Sequence, residues 1–426
     1  MQLSSSLSRG LEELPAPPGP VRMYVCGPTV YARAHVGNAR PFVVFMWLRR
    51  WLRERGYDVT LVHNITDVND SIYEAAPGAS GELARRATAW YLEDTGALGL
   101  GRPDHEPLAT ETIPEIIGLI ETLVGREMAY AVDGDVYYRV GRYPDYGQLS
   151  NQRPDQVEEQ EPNPLKEDGR DFALWKRTKE GEDTAWESPW GLGRPGWHIE
   201  CSAMAAKLLG PSFEIHGGGL DLVFPHHENE LAQSRAAGHE YARIWMHNGM
   251  LRFTGEKMSK SVGNPATLRD VLDEWGPETV LLFFLTAHWR KPIDFSSDTM
   301  AQARAQVEGF RNVFAGPAAA APEDEWERLV AVLDDDFNTP DALALLHEWR
   351  ARGHLAELRR GLELFGLGSL ATLPEPPAEV QILAERRLEA RAGRDFEAAD
   401  ALRGEIERAG WEVRDEEGGY RLVPRA

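Results

Sequence analysis

Apolar residues run almost unbroken through residues 21–27, recur at helical spacing over 42–52 and run again through 58–65. A short apolar run closed by a glycine predicts a buried strand, and the longer apolar segment predicts a buried helix. The order is therefore strand, loop, helix, strand, and the second strand ends in the polar cluster Thr66-Asp67-Val68-Asn69-Asp70. Parallel strands joined this way present loops at their carboxyl ends, which is where open α/β sheets bind ligands.

From residue 103 to about 190 the pattern changes. A helix is expected over 113–123, an alternating strand over 135–140, and a stretch rich in Pro, Glu and Asp lies between Gln152 and Arg170. This part reads as an inserted subdomain. The α/β pattern resumes near Ile199, continues through Gly217, Gly218 and Gly219, and reaches 245–250 before a lysine-bearing loop. The expected fold class is α/β: a Rossmann-like parallel-sheet domain in two halves, 1–102 and 191–250, split by the insertion 103–190. Residues 251–315 carry the lysine loop, and an Ala- and Pro-rich tract at 317–322 marks a linker. Helical runs at 326–333, 342–352 and 382–406 predict a helical C-terminal region, 323–426, ending in a small hairpin around Gly418 and Gly419. There is no internal repeat.

Composition narrows the class. The 426 residues suffice for two or three domains, and 42% apolar with 27% charged residues is ordinary for a globular chain. No stretch approaches the roughly 20 apolar residues that span a bilayer, and the first nine residues lack a signal-peptide pattern, so a soluble, cytoplasmic protein without a membrane partner is expected. The two cysteines, Cys26 and Cys201, are too few for a disulfide framework, and 175 positions separate them; any joint role must come from the fold. A net charge of −22 opposes non-specific nucleic-acid binding but not a specific contact, which depends on the local field. Lysine is scarce, seven against thirty-nine arginines, yet Lys257 and Lys260 fall within one five-residue string.

Three groups of residues carry candidate chemistry. Cys201, His226 and Glu230 are metal-binding types, His226 and Glu230 would share a helix face, and Cys26 would complete a four-ligand set; singly, each also fits a small buried hydrophobe or a surface ion pair. Lys257-Met258-Ser259-Lys260-Ser261, flanked by Gly255 and Gly263, places two ammonium groups and two hydroxyls on one loop and suits a polyphosphate, although a generic KxxK is usually a solvated basic turn. His35-Val36-Gly37-Asn38 opens the first helix, where backbone N–H groups favour phosphate; a capping Asn beside an incidental His is the plainer reading.

Together these segments resemble a class I aminoacyl-tRNA synthetase, specifically the cysteinyl-tRNA synthetase family. Met23-Tyr-Val-Cys-Gly-Pro-Thr-Val-Tyr31 and His35-Val-Gly-Asn38 look like its first signature, Gly196-Trp-His-Ile-Glu-Cys-Ser-Ala-Met204 and residues 216–230 follow its pattern, and Lys257 to Ser261 is its KMSKS string. The resemblance implies one zinc ion per chain on Cys26, Cys201, His226 and Glu230, and Mg2+ with ATP. It implies catalytic roles for His35, Asn38, Lys257 and Lys260, with Gly37, Gly219, Asp221 and Ser259 also at the ATP. Cys26, Gly27, Thr66 and Trp197 would line the amino-acid pocket. The partners implied are L-cysteine, ATP and tRNA(Cys), the chain acting as a monomer in protein biosynthesis; 103–190 would be the connective subdomain, 251–315 would include a stem-contact region and 323–426 would meet the anticodon. Zinc can take a thiolate, whereas a serine hydroxyl is a poor soft ligand, so selectivity of roughly 10⁴ needs no editing domain. Asn69 stands where the family usually has an acid, Pro77-Gly78-Ala79-Ser80 interrupts a region that is usually more helical, and the helical C-terminal part is short.

Two other classes remain open. A cysteine ligase of mycothiol synthesis shares the chemistry but takes an amino-sugar acceptor, and a non-catalytic paralogue would keep the metal for structure. A zinc hydrolase fits less well, because four protein ligands leave no open metal position.

Overall fold

A computed structural model describes residues 1–153, 162–253, 266–372, 375–416 and 419–424. The lysine string 257–261 lies outside the described residues. Four strands form the central sheet: β1 (Pro20–Val25), β2 (Asp58–His63), β3 (Ser212–Gly219) and β4 (Tyr241–Asn248), in the order β4-β3-β1-β2. Every neighbouring pair is parallel, with Met23 opposite Ile215 on one side and Leu61 on the other. Parallel sheets are covered on both faces, which explains why Val21, Met23, Tyr24 and Val25 are all buried without alternation. This is the Rossmann-like sheet expected. Both β1 and β2 stop two residues earlier than their apolar runs, because the chain turns out of the ladder there and leaves Cys26 and Asn64 at the carboxyl edge.

The crossover between β1 and β2 is α1 (Val36–Glu54), which begins six residues before the apolar pattern. His35 caps it: its Nδ1 accepts the Gly37 N–H at 3.1 Å, while the Asn38 carboxamide accepts the His35 N–H at 3.2 Å. The cap is thus the histidine, with the asparagine reciprocating from the first turn, the reverse of the plain reading. Phe42, Phe45, Trp47, Leu48 and Trp51 are all buried, because α1 lies between the sheet and the C-terminal helices. The Trp47 indole donates to the Phe365 carbonyl at 2.8 Å, and that of Trp51 to Asp334 at 3.0 Å.

The inserted region holds a second, antiparallel sheet, of which the sequence pattern indicated only one strand. Its order is Ala129–Val132, Asp135–Tyr138, Phe172–Arg177, Gly193–Pro195, packed with the helix Ile113–Gly125. Lys176 and Arg194 of this sheet pair with Asp70, which follows β2, and Arg194 also meets Glu182 at 2.9 Å. The chain returns through α2 (Trp197–Leu209) to β3, and α3 (Glu228–Ala236) leads to β4.

Beyond residue 324 the chain is helical and ends in the expected hairpin, Trp411–Glu416 against Gly419–Pro424. The single helix expected over 382–406 is two, Ala378–Ala392 and Phe396–Arg408. Arg394 adopts a positive φ of 63° between them, and Asp395 caps the second by accepting the Ala398 N–H. Among the described residues no helix is long and apolar enough to cross a membrane.

Candidate active site

The carboxyl ends of β1 and β3 open onto a cleft whose walls include Cys26, Gly27, His35, Gly37, Asn38, Trp197, Gly219 and Asp221. Eight of the residues expected from sequence are thereby brought together. Thr66 lies behind this wall, buried, its hydroxyl accepting from Asn64 Nδ2 at 3.2 Å and its carbonyl from the Val30 N–H at 3.0 Å. Lys257, Ser259 and Lys260 lie outside the described residues, but Met250, Leu251 and Phe253, which lead toward them, form one side of the cleft.

Two glycines make the cleft possible by close approach. A Cβ on Gly27 would stand 1.7 Å from the Asn64 carbonyl oxygen, so only glycine lets the tip of β1 lie against that of β2, where its N–H donates to Asn64 Oδ1 at 2.9 Å. A Cβ on Gly219 would stand 2.2 Å from Asp221 Oδ1, so glycine leaves that carboxylate its place at the rim. Burial lowers the His35 imidazole, against a smaller opposing pull from Asp221. At neutral pH the ring is therefore neutral, its Nδ1 accepting from Gly37 and its Nε2–H left to donate.

At the closed end of the cleft, Cys26, Cys201, His226 and Glu230 place one potential ligand atom each within 4.8 Å of one another, all buried. The two sulfurs are 3.7 Å apart, Cys26 Sγ is 3.3 Å from Glu230 Oε1, and His226 Nε2 is 3.0 Å from the same oxygen. Three elements converge: the end of β1, the first turns of α2, and the π-turn Val223–His227 that runs into α3. Burial alone would protonate Glu230, but the His216 and His226 imidazoles outweigh it and hold the carboxyl well below its usual range. Burial and the Cys201 hydrogen bond push the Cys26 thiol up; Cys201, raised by burial, is brought down to about 6 chiefly by Cys26. His226, lowered by burial, is raised to about 10 by Glu230 and Cys201. The Glu230 carboxylate and the Cys201 thiol are thus biased toward their charged forms in a buried place, donors that suit a bound cation.

An outer ring orients these ligands. His226 Nδ1 is 2.9 Å from His198 Nδ1, and the Trp197 ring lies over His226 with centroids 4.2 Å apart. Glu230 Oε2 accepts from His216 Nε2 at 2.8 Å and from the Tyr241 hydroxyl at 2.7 Å. His227 Nδ1 meets His247 Nε2 at 2.7 Å, and His247 Nδ1 meets the Ser6 hydroxyl at 2.7 Å. Sequence reasoning singled out none of His198, His216, His227, His247 and Tyr241. A signal existed: six of the twelve histidines fall between residues 198 and 247. Cys26, His216, His227 and Glu230 form a second convergent set, sharing two members with the first. In it His227 Nε2 is 3.9 Å from Glu230 Oε1 and His216 is already engaged by the other oxygen. The first set, with both thiols, is the more compact cation site.

The sequence profile of "tRNA synthetases class I (C) catalytic domain" matches residues 13–305. A methionyl-tRNA synthetase of Mycobacterium tuberculosis shares the fold with a TM-score of 0.58 at 14% identity, over 82% of this chain and 88% of that one. A leucine enzyme of Agrobacterium radiobacter K84 does so with a TM-score of 0.58 at 11% identity, over 88% and 87%. The fold and its cleft are those of a class I aminoacyl-tRNA synthetase. Within that class, a cysteine--tRNA ligase of Azotobacter vinelandii is 45% identical over 460 residues, covering 99% of each chain, and one of Paracoccus denitrificans is 47% identical over 439, covering 96% and 94%. The chain belongs to the cysteine--tRNA ligase family.

Proposed function

We propose that this protein activates L-cysteine with ATP, forming cysteinyl-adenylate and pyrophosphate, and transfers the cysteinyl group to tRNA(Cys). The observation that carries this reading is the position of the thiol, imidazole and carboxylate cluster, at the closed end of the same cleft whose mouth is the His35-capped start of α1. An amino acid held at the cluster would have its carboxylate facing a nucleotide at that helix start. The end-to-end likeness to cysteine--tRNA ligases supports the tRNA acceptor over an amino sugar, and disfavours a non-catalytic paralogue.

The donor set fits zinc. A tetrahedral zinc with Zn–S near 2.3 Å sets its sulfurs about 3.8 Å apart, close to the spacing of Cys26 and Cys201. Cys26, Cys201, His226 and Glu230 would hold the ion, and when bound it would favour a substrate thiolate over a serine hydroxyl. Trp197, tilted against His226, would close the pocket around the amino acid, with Gly27 giving its backbone room and Thr66 holding Asn64 against Gly27 from behind.

Adenylate formation builds charge on phosphate oxygens, and positioning with preorganised donors supplies most of the catalysis in such transfers. His35 would offer its Nε2–H, and the first-turn N–H groups at Gly37 and Asn38 would face the same phosphates. Lys257, Ser259 and Lys260 would meet the same phosphates, as the family resemblance implies, with Mg2+ arriving on ATP. Gly219 and Asp221 would take the ribose end. In this reading 1–102 with 191–250 is the catalytic domain, 103–190 guides the acceptor end, 251–315 spans the stem and 323–426 meets the anticodon region, in a cytoplasmic monomer. Cysteine-dependent exchange of labelled pyrophosphate into ATP, with serine as control, tests the reading: exchange with cysteine alone is expected, and equal exchange with serine, or none, refutes it.

A further inference from the structure

Arg40, in the second turn of α1, is 1% exposed, yet among the described residues it has no carboxylate partner. Arg194, the other fully buried arginine, is paired with Asp70 and Glu182. The Arg40 guanidinium instead donates to two main-chain carbonyls, those of Gly249 and, at 3.1 Å, His288; its Nε has no partner. Burial lowers it only to about 10, so it stays charged at neutral pH. A buried charge without a carboxylate partner costs stability.

That geometry concerns the lysine loop. Gly249 and Met250 lead directly into the strand Leu251–Phe253, the last described residues before the loop, which pairs in parallel with Ile293–Phe295. Gly249 donates to the Trp289 carbonyl at 2.8 Å, and a Cβ there would stand 2.3 Å from the main chain of Lys291, so this crossing is tightly packed. On the far side of the loop the chain is bonded straight to the residues around His35: the Val36 N–H donates to the Ala266 carbonyl at 3.1 Å, and the Leu268 N–H to the Ala34 carbonyl at 2.8 Å. The returning end of the lysine loop is thus tied to the His35 segment by backbone bonds, and its starting end is tied to the same helix through Arg40.

We propose that Arg40 is a positioning residue for adenylate formation, its guanidinium fixing the start of the lysine loop at a set distance from His35. The inference rests on the functional reading above. A pair of loops that must both reach one triphosphate gains rate from such a fixed separation, since a displacement of about 1 Å can cost about a hundredfold. The cysteine pocket, built from β1, α2 and α3, does not depend on this tie.

The test compares Arg40→Met and Arg40→Lys in the full-length enzyme, with pyrophosphate exchange rates normalised by active-site titration. Arg40→Met should fold and keep its bound metal, because the variant also removes an unpaired buried charge. Its kcat for exchange should fall about a hundredfold, with KM for ATP changing less than kcat does and KM for cysteine moving less than about twofold. Arg40→Lys, able to reach one carbonyl at a time, should lose about tenfold by the same route. Unchanged kcat with a raised KM for ATP, parallel rises in both KM values, loss of the bound metal, or wild-type kinetics would each overturn the proposal. If Arg40→Met does not fold, Arg40→Lys decides by the same readout, and failure of both to fold makes Arg40 purely structural and also overturns it. Wild-type enzyme without cysteine-dependent exchange would instead refute the functional reading, so the two failures are distinct.

Discussion

Tyr241→Phe isolates what the outer ring does for the cluster. Tyr241 is buried and donates at 2.7 Å to Glu230 Oε2, which also accepts from His216. Burial, with Glu230 second, pushes the phenol well above its usual range, so it is a donor at every pH of interest. The substitution removes one oxygen and leaves the ring's edge contact with Phe213, whose centroid is 5.0 Å away. A hydrogen bond to a buried charge contributes about 1.5–3 kcal/mol. Loss of such a partner typically weakens a metal site about 10- to 100-fold, or about 1.4–2.7 kcal/mol, the same range. Chelator competition should therefore show metal held about 10- to 100-fold less tightly, with a near-wild-type melting temperature, and the cysteine-over-serine ratio in exchange should fall with it. Wild-type metal affinity in a variant that has lost this bond would refute the assignment of Glu230 as a ligand held by its neighbours.

Three further changes probe other parts of the account. Cys201→Ser should lose metal and cysteine selectivity together, by elemental analysis and exchange; stoichiometric metal in the variant would contradict the four-ligand set. Gly219→Ala brings a Cβ against Asp221 and should raise KM for ATP about tenfold while sparing KM for cysteine; an unchanged KM for ATP would remove Asp221 from the nucleotide site. Asp70, raised by burial but lowered further by Lys176 and Arg194, is held below its usual range. A depressed carboxyl stabilises the fold above its unfolded value of about 4 and loses that contribution as pH falls from there through the lower folded value. Asp70→Asn should then lower the melting temperature at pH 7, by a gap from wild type that narrows as pH falls below about 4, and expose the inserted sheet to protease; a gap that stays constant on acidification would contradict the clamp.

How much of this was readable in advance differs by element. The parallel sheet was legible, because β1, β2 and the middle of α1 carry nearly continuous apolar runs and such runs have few other uses. The strand ends were less so: residues 26, 27, 64 and 65 look like more strand until one sees that Gly27 abuts Asn64 and turns the chain toward the site. The inserted sheet was mostly hidden, since strands of three to six residues on either side of the Pro-, Glu- and Asp-rich stretch carry too short a pattern. The break at Gly393 and Arg394 was missed because helical composition continues across it. At the site, Cys26, Cys201, His226 and Glu230 were legible through resemblance, and their approach to within 4.8 Å then stands as an independent geometric fact. Arg40 and the histidine ring were not legible, because their meaning lies in partners some 14 to 248 positions away, such as His216 with Glu230 or Arg40 with His288.

The central claim is that one cleft selects cysteine and passes it to tRNA. It is tested most directly in a single reaction containing the metal-loaded enzyme, ATP, total tRNA and either labelled cysteine or labelled serine. The account predicts acid-precipitable label from cysteine only, abolished by ribonuclease. Cysteine-dependent pyrophosphate exchange without label on tRNA, or comparable charging with serine, would contradict it.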